Sequence, residues 1–171
     1  MRRCWLVYWA VLICLTVLVA PAADATSVVL YRHASGIVYV ENHTGGAWPV
    51  TTMTYAWDSG TDVSARYGPC RPGAGCVKVY ECRCGTSRPP GWTDFGYYPG
   101  TRTFAEPVTI HLNDSWTWTW RNRLQAVCHE LGHSLGIVSH LGTYSCLYPY
   151  LTSAASVWPG SYARSLLNSI Y

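Results

Sequence analysis

Three observations predict an α+β fold for this chain. Runs rich in β-branched and aromatic residues at 28–32, 37–41, 77–80 and 108–112 read as strands. Apolar residues recur at a helical period in 50–58 and again from Leu124 to Leu135. The order is strands and a helix, then strands and a long helix, then a last helix, which is the layout of an α+β domain.

The first stretch belongs outside that domain. Met1-Arg2-Arg3 is a short positive head, followed by an apolar run from Cys4 to Ala20 and small residues from Ala20 to Ala25. This is the pattern of a secretory signal peptide, and the run is shorter than the roughly 20 residues that a spanning helix needs. Cleavage after Ala22 and cleavage after Ala25 both satisfy the small-x-small rule. The expected division is a signal peptide over 1–25 and a single domain over 26–171, long enough to bury its own core.

Within the domain, the strands at 28–32 and 37–41 are joined by a turn at Ala34-Ser35-Gly36. Pro49 stands where a helix begins well, Val50, Met53 and Trp57 mark one face of 50–58, and Gly60 stops it. A short strand is expected at 77–80. Pro89-Pro90-Gly91 through Gly100 reads as a loop on a cleft rim, and 108–112 alternates as another strand. Asn113-Asp114-Ser115 offers capping side chains ahead of the long helix. Ser161 is expected to cap a final helix through Ile170, with Ala163, Leu166, Leu167 and Ile170 inward.

Charge excludes one class of function. The chain has 12 basic and 9 acidic residues, and Arg2 and Arg3 leave with the leader. No basic block remains, so nucleic-acid binding has no electrostatic footprint. The abundance of Trp and Tyr suits a rigid domain with an aromatic-lined cleft.

Residues 129–140 carry the chemistry. They read H-E-L-G-H-S-L-G-I-V-S-H. On a helix each residue advances about 100°, so His129 and His133 lie one turn apart on one face and can converge on one ion. Leu124, Val127, Cys128, Leu131 and Leu135 form a stripe on roughly the opposite side that can anchor the helix in a core. Gly136 stands where a helix C-cap is expected. Glu130, beside the histidines, is placed to take a proton from a metal-bound water.

This run resembles the zinc signature of the metzincin metallopeptidases, especially small secreted bacterial ones of snapalysin-like and matrixin-like type. Their pattern is H-E-x-x-H-x-x-G-x-x-H followed by a Met-turn. The resemblance makes His129 and His133 zinc ligands, Glu130 the general base and Gly136 the turn toward the third ligand. The family's third ligand falls at Ser139. His140 comes one residue later and is assigned the role, with a one-residue bulge in that loop. The equivalent of the Met-turn is Ser145-Cys146-Leu147, with Leu147 where methionine would lie beneath the metal. Leucine keeps that floor apolar at similar volume.

The resemblance further implies a twisted, mostly antiparallel or mixed sheet backed by helices, with the zinc helix flooring the cleft. It implies a secreted, extracellular, monomeric zinc metalloendopeptidase that cleaves polypeptide substrates, with neither nucleic acid nor membrane as partner. An extended substrate could pair with an edge strand, for which 108–112 is one candidate. Calcium is compatible with such folds, but no acidic cluster forms a site for it. The alternative is a non-catalytic secreted domain, a degenerate metzincin whose zinc and disulfides hold a binding surface.

Six cysteines remain after leader removal, and export implies disulfides. Of the 15 pairings that six cysteines allow, Cys128–Cys146 and Cys70–Cys76 are expected. Cys82 and Cys84 are separated only by Arg83, so a bridge between them is expected to be strained and a free or exchanged pair is the other reading. His33, His43 and His111 are read as ordinary hydrogen-bonded or surface histidines. Tyr148 and Tyr150 follow the proposed turn without a matching catalytic spacing.

Overall fold

A computed structural model describes residues 27–171, and the signal-peptide reading of 1–25 lies outside the described residues. The elements are β1 (Ile37–Asn42), α1 (Val50–Asp58), β2 (Ser64–Tyr67), β3 (Gly75–Cys82), β4 (Gly91–Tyr97), β5 (Phe104–Asn113), α2 (Trp120–Leu135) and α3 (Ser161–Asn168). The α+β class holds. Five strands form one sheet in the order β2-β1-β3-β5-β4. The pairs β1–β2, β1–β3 and β3–β5 are parallel, and only β4 runs antiparallel, against β5. The sheet is therefore mixed but mostly parallel, not mostly antiparallel. Each parallel neighbour is reached by a crossover rather than a tight hairpin.

One sheet face is packed. Val38 and Val40 of β1, Val77 and Val79 of β3, and Val108, Ile110 and Leu112 of β5 are buried at every second position. Val50, Met53 and Trp57 of α1, and Val127, Leu131 and Leu135 of α2, complete the same core. The other face carries a row of stacked rings. His43 lies on Tyr80 at 4.7 Å between centroids, Tyr80 is next to His111 at 6.3 Å, and His111 lies on Trp92 at 4.7 Å. These rings lie over the sheet face opposite the core.

Several elements differ from the sequence expectation. Residues 28–32 form no regular strand; only Leu30, bridged to Ile137, and Arg32, bridged to Thr103, pair there. Strand β2 (S-A-R-Y) carries no periodic signal and exists by pairing with β1. The expected rim loop at 91–97 is strand β4, because W-T-D-F-G-Y has the β-branched and aromatic content of a strand despite the Pro-Pro-Gly before it. Strand β5 lies inside the sheet, so 108–112 has no free edge, and β4 is the edge instead.

Helix α2 is capped by Thr119, whose hydroxyl accepts from the Asn122 N–H at 3.2 Å, not by residues 113–115. Asn113 has another task. Its side chain accepts from the N–H of Cys84 and Ser115 and donates to the carbonyls of Gly85 and Pro89, so it holds the loop that leads into β4. Gly160, not Ser161, occupies the N-cap of α3, which ends at Asn168 and buries Ala163 and Leu167, leaving Leu166 and Ile170 partly buried.

Among the described residues three disulfides are formed: Cys70–Cys76, Cys128–Cys146 and Cys82–Cys84. The last decides between the two readings of Cys82 and Cys84 in favour of a bridge. Its Cα atoms are 5.4 Å apart, within the usual span.

Candidate metal centre

Helix α2 presents His129 and His133 one turn apart, as its periodicity dictates. Each ring is oriented by a backbone carbonyl. His129 Nδ1–H donates to Cys146 O at 3.0 Å, and His133 Nδ1–H donates to Ile137 O at 2.7 Å. With the protons on Nδ1, both Nε2 atoms carry lone pairs, and they face each other at 3.0 Å. His140 completes the group, its ring 5.2 Å from that of His129 and 5.3 Å from that of His133. One nitrogen from each of the three lies within 4.8 Å of the others.

Electrostatics makes this arrangement informative. Burial, reinforced by the neighbouring His133, pushes His129 down to about 3, and burial pushes His133 down to about 4. The rings are neutral at ordinary pH, so two lone pairs converge with no proton between them. A cation would relieve that repulsion, and three imidazoles form a donor set that could hold a divalent metal ion. Among the described residues this is the one group of its kind.

The turn beneath the helix is fixed from both sides. Cys146 is disulfide-bonded to Cys128 and offers its carbonyl to His129. Leu147 is fully buried, and Gly132 lets it approach: a Cβ on Gly132 would sit 2.8 Å from Leu147 Cδ2 and 2.7 Å from Trp57 Cζ2. Trp57 in turn donates its indole N–H to Cys128 O at 2.9 Å. Leu147 thus packs in the core beside Gly132 of α2.

His140, not Ser139, lies with the two helical histidines. The Ser139 hydroxyl accepts from the Val29 N–H at 2.8 Å.

Glu130 is 6 % exposed, facing β4. Thr93 donates its hydroxyl to Glu130 Oε2 at 2.8 Å, and a Cβ on Gly91 would lie 3.1 Å from Glu130 Oε1. Burial pushes the Glu130 carboxyl up to about 7, against the pull of the Thr93 hydrogen bond. Thr93 escapes a sequence reading that makes 91–97 a loop. Read as a strand, the alternation of that stretch sets Thr93 on the opposite face from Trp92.

These side chains open into a cleft of about 390 Å³. Pro90, Trp92 and Phe95 form its upper rim, His129, Glu130 and His133 its floor, and Tyr148 and Tyr150 its far wall. Gln125 holds that wall by donating to Tyr150 O at 2.8 Å. Elsewhere, His33 is buried against Glu106 and Ser134 O, His43 contacts Glu41, and His111 contacts Asp94, in line with the ordinary roles expected for them.

No protein-family model matches the chain, and no curated protein matches it.

Proposed function

We propose that this chain is a secreted zinc-dependent endopeptidase of metzincin type. The observation that carries the reading is the convergence of three imidazoles beside a buried carboxylate at the floor of an open cleft. His129, His133 and His140 would hold the ion. When bound, zinc supplies a Lewis acid that brings the pKa of water to about 7 and polarises a scissile carbonyl. Glu130 takes the proton from the attacking water and passes it to the leaving amine, one group serving as base and then acid. Thr93 holds one carboxylate oxygen, Oε2, and leaves Oε1 without a hydrogen bond from it, free to take that proton.

Substrate binding is assigned to β4. Its outer edge is unpaired among the described strands, and an extended peptide can add to it by main-chain hydrogen bonds. Export fits the three disulfides. No helix of the described residues is long and apolar enough to cross a membrane.

The test is zinc content and casein cleavage of the purified protein. About one zinc per chain is expected, with cleavage lost on chelation and restored by zinc. A chain that takes up no zinc would sink the proposal.

A pH prediction follows from Thr93. Its hydroxyl stabilises the charged form of Glu130, so Thr93→Val should raise the carboxyl further. The base must be deprotonated to act, and a raised value keeps it protonated to higher pH. The acidic limb of kcat/KM for a peptide substrate is therefore expected to move to higher pH in Thr93→Val. An unmoved limb would exclude Glu130 as the group that sets it.

A further inference from the structure

We propose that the extended segment at residues 29–33 positions the third metal ligand, acting on residues 134–139 through the Ser139 hydroxyl and the His33 ring. The inference rests on the reading of the histidine group as a metal centre.

The three imidazoles are not held alike. His129 and His133 sit on a helix and donate to backbone carbonyls. His140 is exposed, lies beyond the helix, and makes no ring hydrogen bond among the described residues. Its place therefore depends on how the backbone from Gly136 to Ser139 is held.

Every second residue of the segment grips that stretch or the end of α2 just before it. Val29 N–H donates to Ser139 Oγ at 2.8 Å, and Val29 O accepts from Val138 N–H at 3.0 Å. Tyr31 N–H donates to Gly136 O at 2.8 Å. His33 Nε2–H donates to Ser134 O at 2.8 Å. Tyr171 extends the clamp: its hydroxyl accepts from His33 N–H at 3.0 Å and donates to Leu135 O at 2.9 Å. The carbonyls of Ser134 and Leu135 belong to the last turn of α2, which cannot supply donors for them.

His33 is anchored in the sheet. Its ring fills space left by Gly75, where a Cβ would lie 2.6 Å from Nδ1, and Nδ1 is paired with Glu106. Glu106 also accepts from Cys76 N–H at 2.8 Å. The path from β3 and β5 to the turn after α2 is thus continuous, and no member of it is a metal ligand. Ser139 is the pivot. Its bond to Val29 fixes position 139, and position 140 would then be held where it can reach a metal bound by His129 and His133.

The experiment is Co²⁺ binding, followed by the visible absorption of the loaded protein and by chelator competition, in wild type, Ser139→Ala, Ser139→Thr and Tyr171→Phe. Ser139→Ala is expected to weaken Co²⁺ binding about tenfold, the low end for partners that orient ligands, and to change the absorption band. Ser139→Thr keeps a hydroxyl and is expected to restore both. Tyr171→Phe removes one oxygen from the same clamp and is expected to weaken binding in the same direction. The unfolding temperatures of metal-free Ser139→Ala and Ser139→Thr should agree within a few degrees, which separates positioning from general bracing. Wild-type affinity and spectrum in both Ser139→Ala and Tyr171→Phe would overturn the inference and leave the metal centre intact. A wild type that takes up no Co²⁺ would overturn both.

Discussion

Glu130→Gln is expected to lower casein cleavage by about 10²–10⁴-fold, the usual contribution of a positioned acid–base group, while zinc stays bound. The substitution is nearly isosteric. A glutamine oxygen can still accept the Thr93 hydroxyl, and neither His129 nor His133 is oriented by Glu130. The comparison separates the proposed peptidase from its rival. Zinc in both proteins with cleavage only in wild type supports the enzyme. Zinc in both with cleavage by neither favours the secreted binding domain, because a structural zinc site needs no carboxylate beside its ligands. Equal cleavage by both would remove Glu130 from the mechanism.

The same substitution has a stability signature in the metal-free protein. Burial raises the Glu130 carboxyl from the ordinary 4.5 to about 7. A raised value means that the folded state holds the proton more tightly, so this contribution is full below 4.5 and is lost as pH rises through 7. Above that, the wild type buries a charge that the neutral glutamine variant does not. The unfolding temperature of Glu130→Gln should therefore exceed that of wild type most at about pH 8, with the difference shrinking toward about pH 5. A difference independent of pH would count against a buried, titrating carboxyl.

Gly136→Ala is expected to be the most damaging small substitution in the turn after α2. Gly136 has φ 135°, a region that L side chains rarely adopt, and an added Cβ would lie 2.1 Å from Tyr31 O. Backbone strain of this kind costs about 1–3 kcal/mol, and the overlap with Tyr31 adds to it by pushing away the segment that pairs with Gly136 O. A total loss above about 3 kcal/mol is expected in denaturant unfolding, since the clash and the strain act together. Gly142→Ala is the control. Nothing lies within 4 Å of its would-be Cβ, and a change within about 0.5 kcal/mol is expected. Equal stability of the two variants would show that the packing of Tyr31 against Gly136 is not rigid.

Much of the frame is legible because it is written locally. Helix α1 coincides with the expected 50–58, since Val50, Met53 and Trp57 mark a period that needs no partner to be read. The long helix ends at Leu135 with Gly136 as its cap, and His129 and His133 share a face because they lie four residues apart. The two disulfides expected from the sequence are both formed. What failed depended on neighbours distant in sequence. Strand β2 has four residues and no pattern, and only pairing with β1 makes it a strand. The Pro-Pro-Gly before β4 concealed an edge strand, and with it Thr93. The interior place of β5 follows from crossovers that periodicity does not encode.

The sequence by itself determined an α+β chain with a helix bearing two histidines and a glutamate on adjoining faces, because helical and strand periods are properties of neighbouring residues. Only the tertiary structure decided that Thr93 touches Glu130 and that β4 is an edge strand beside the cleft. The first of these turns on a bond across 37 residues, from Thr93 to Glu130. Contacts at such separation form only when packing of the core brings the segments together, and no local pattern announces them.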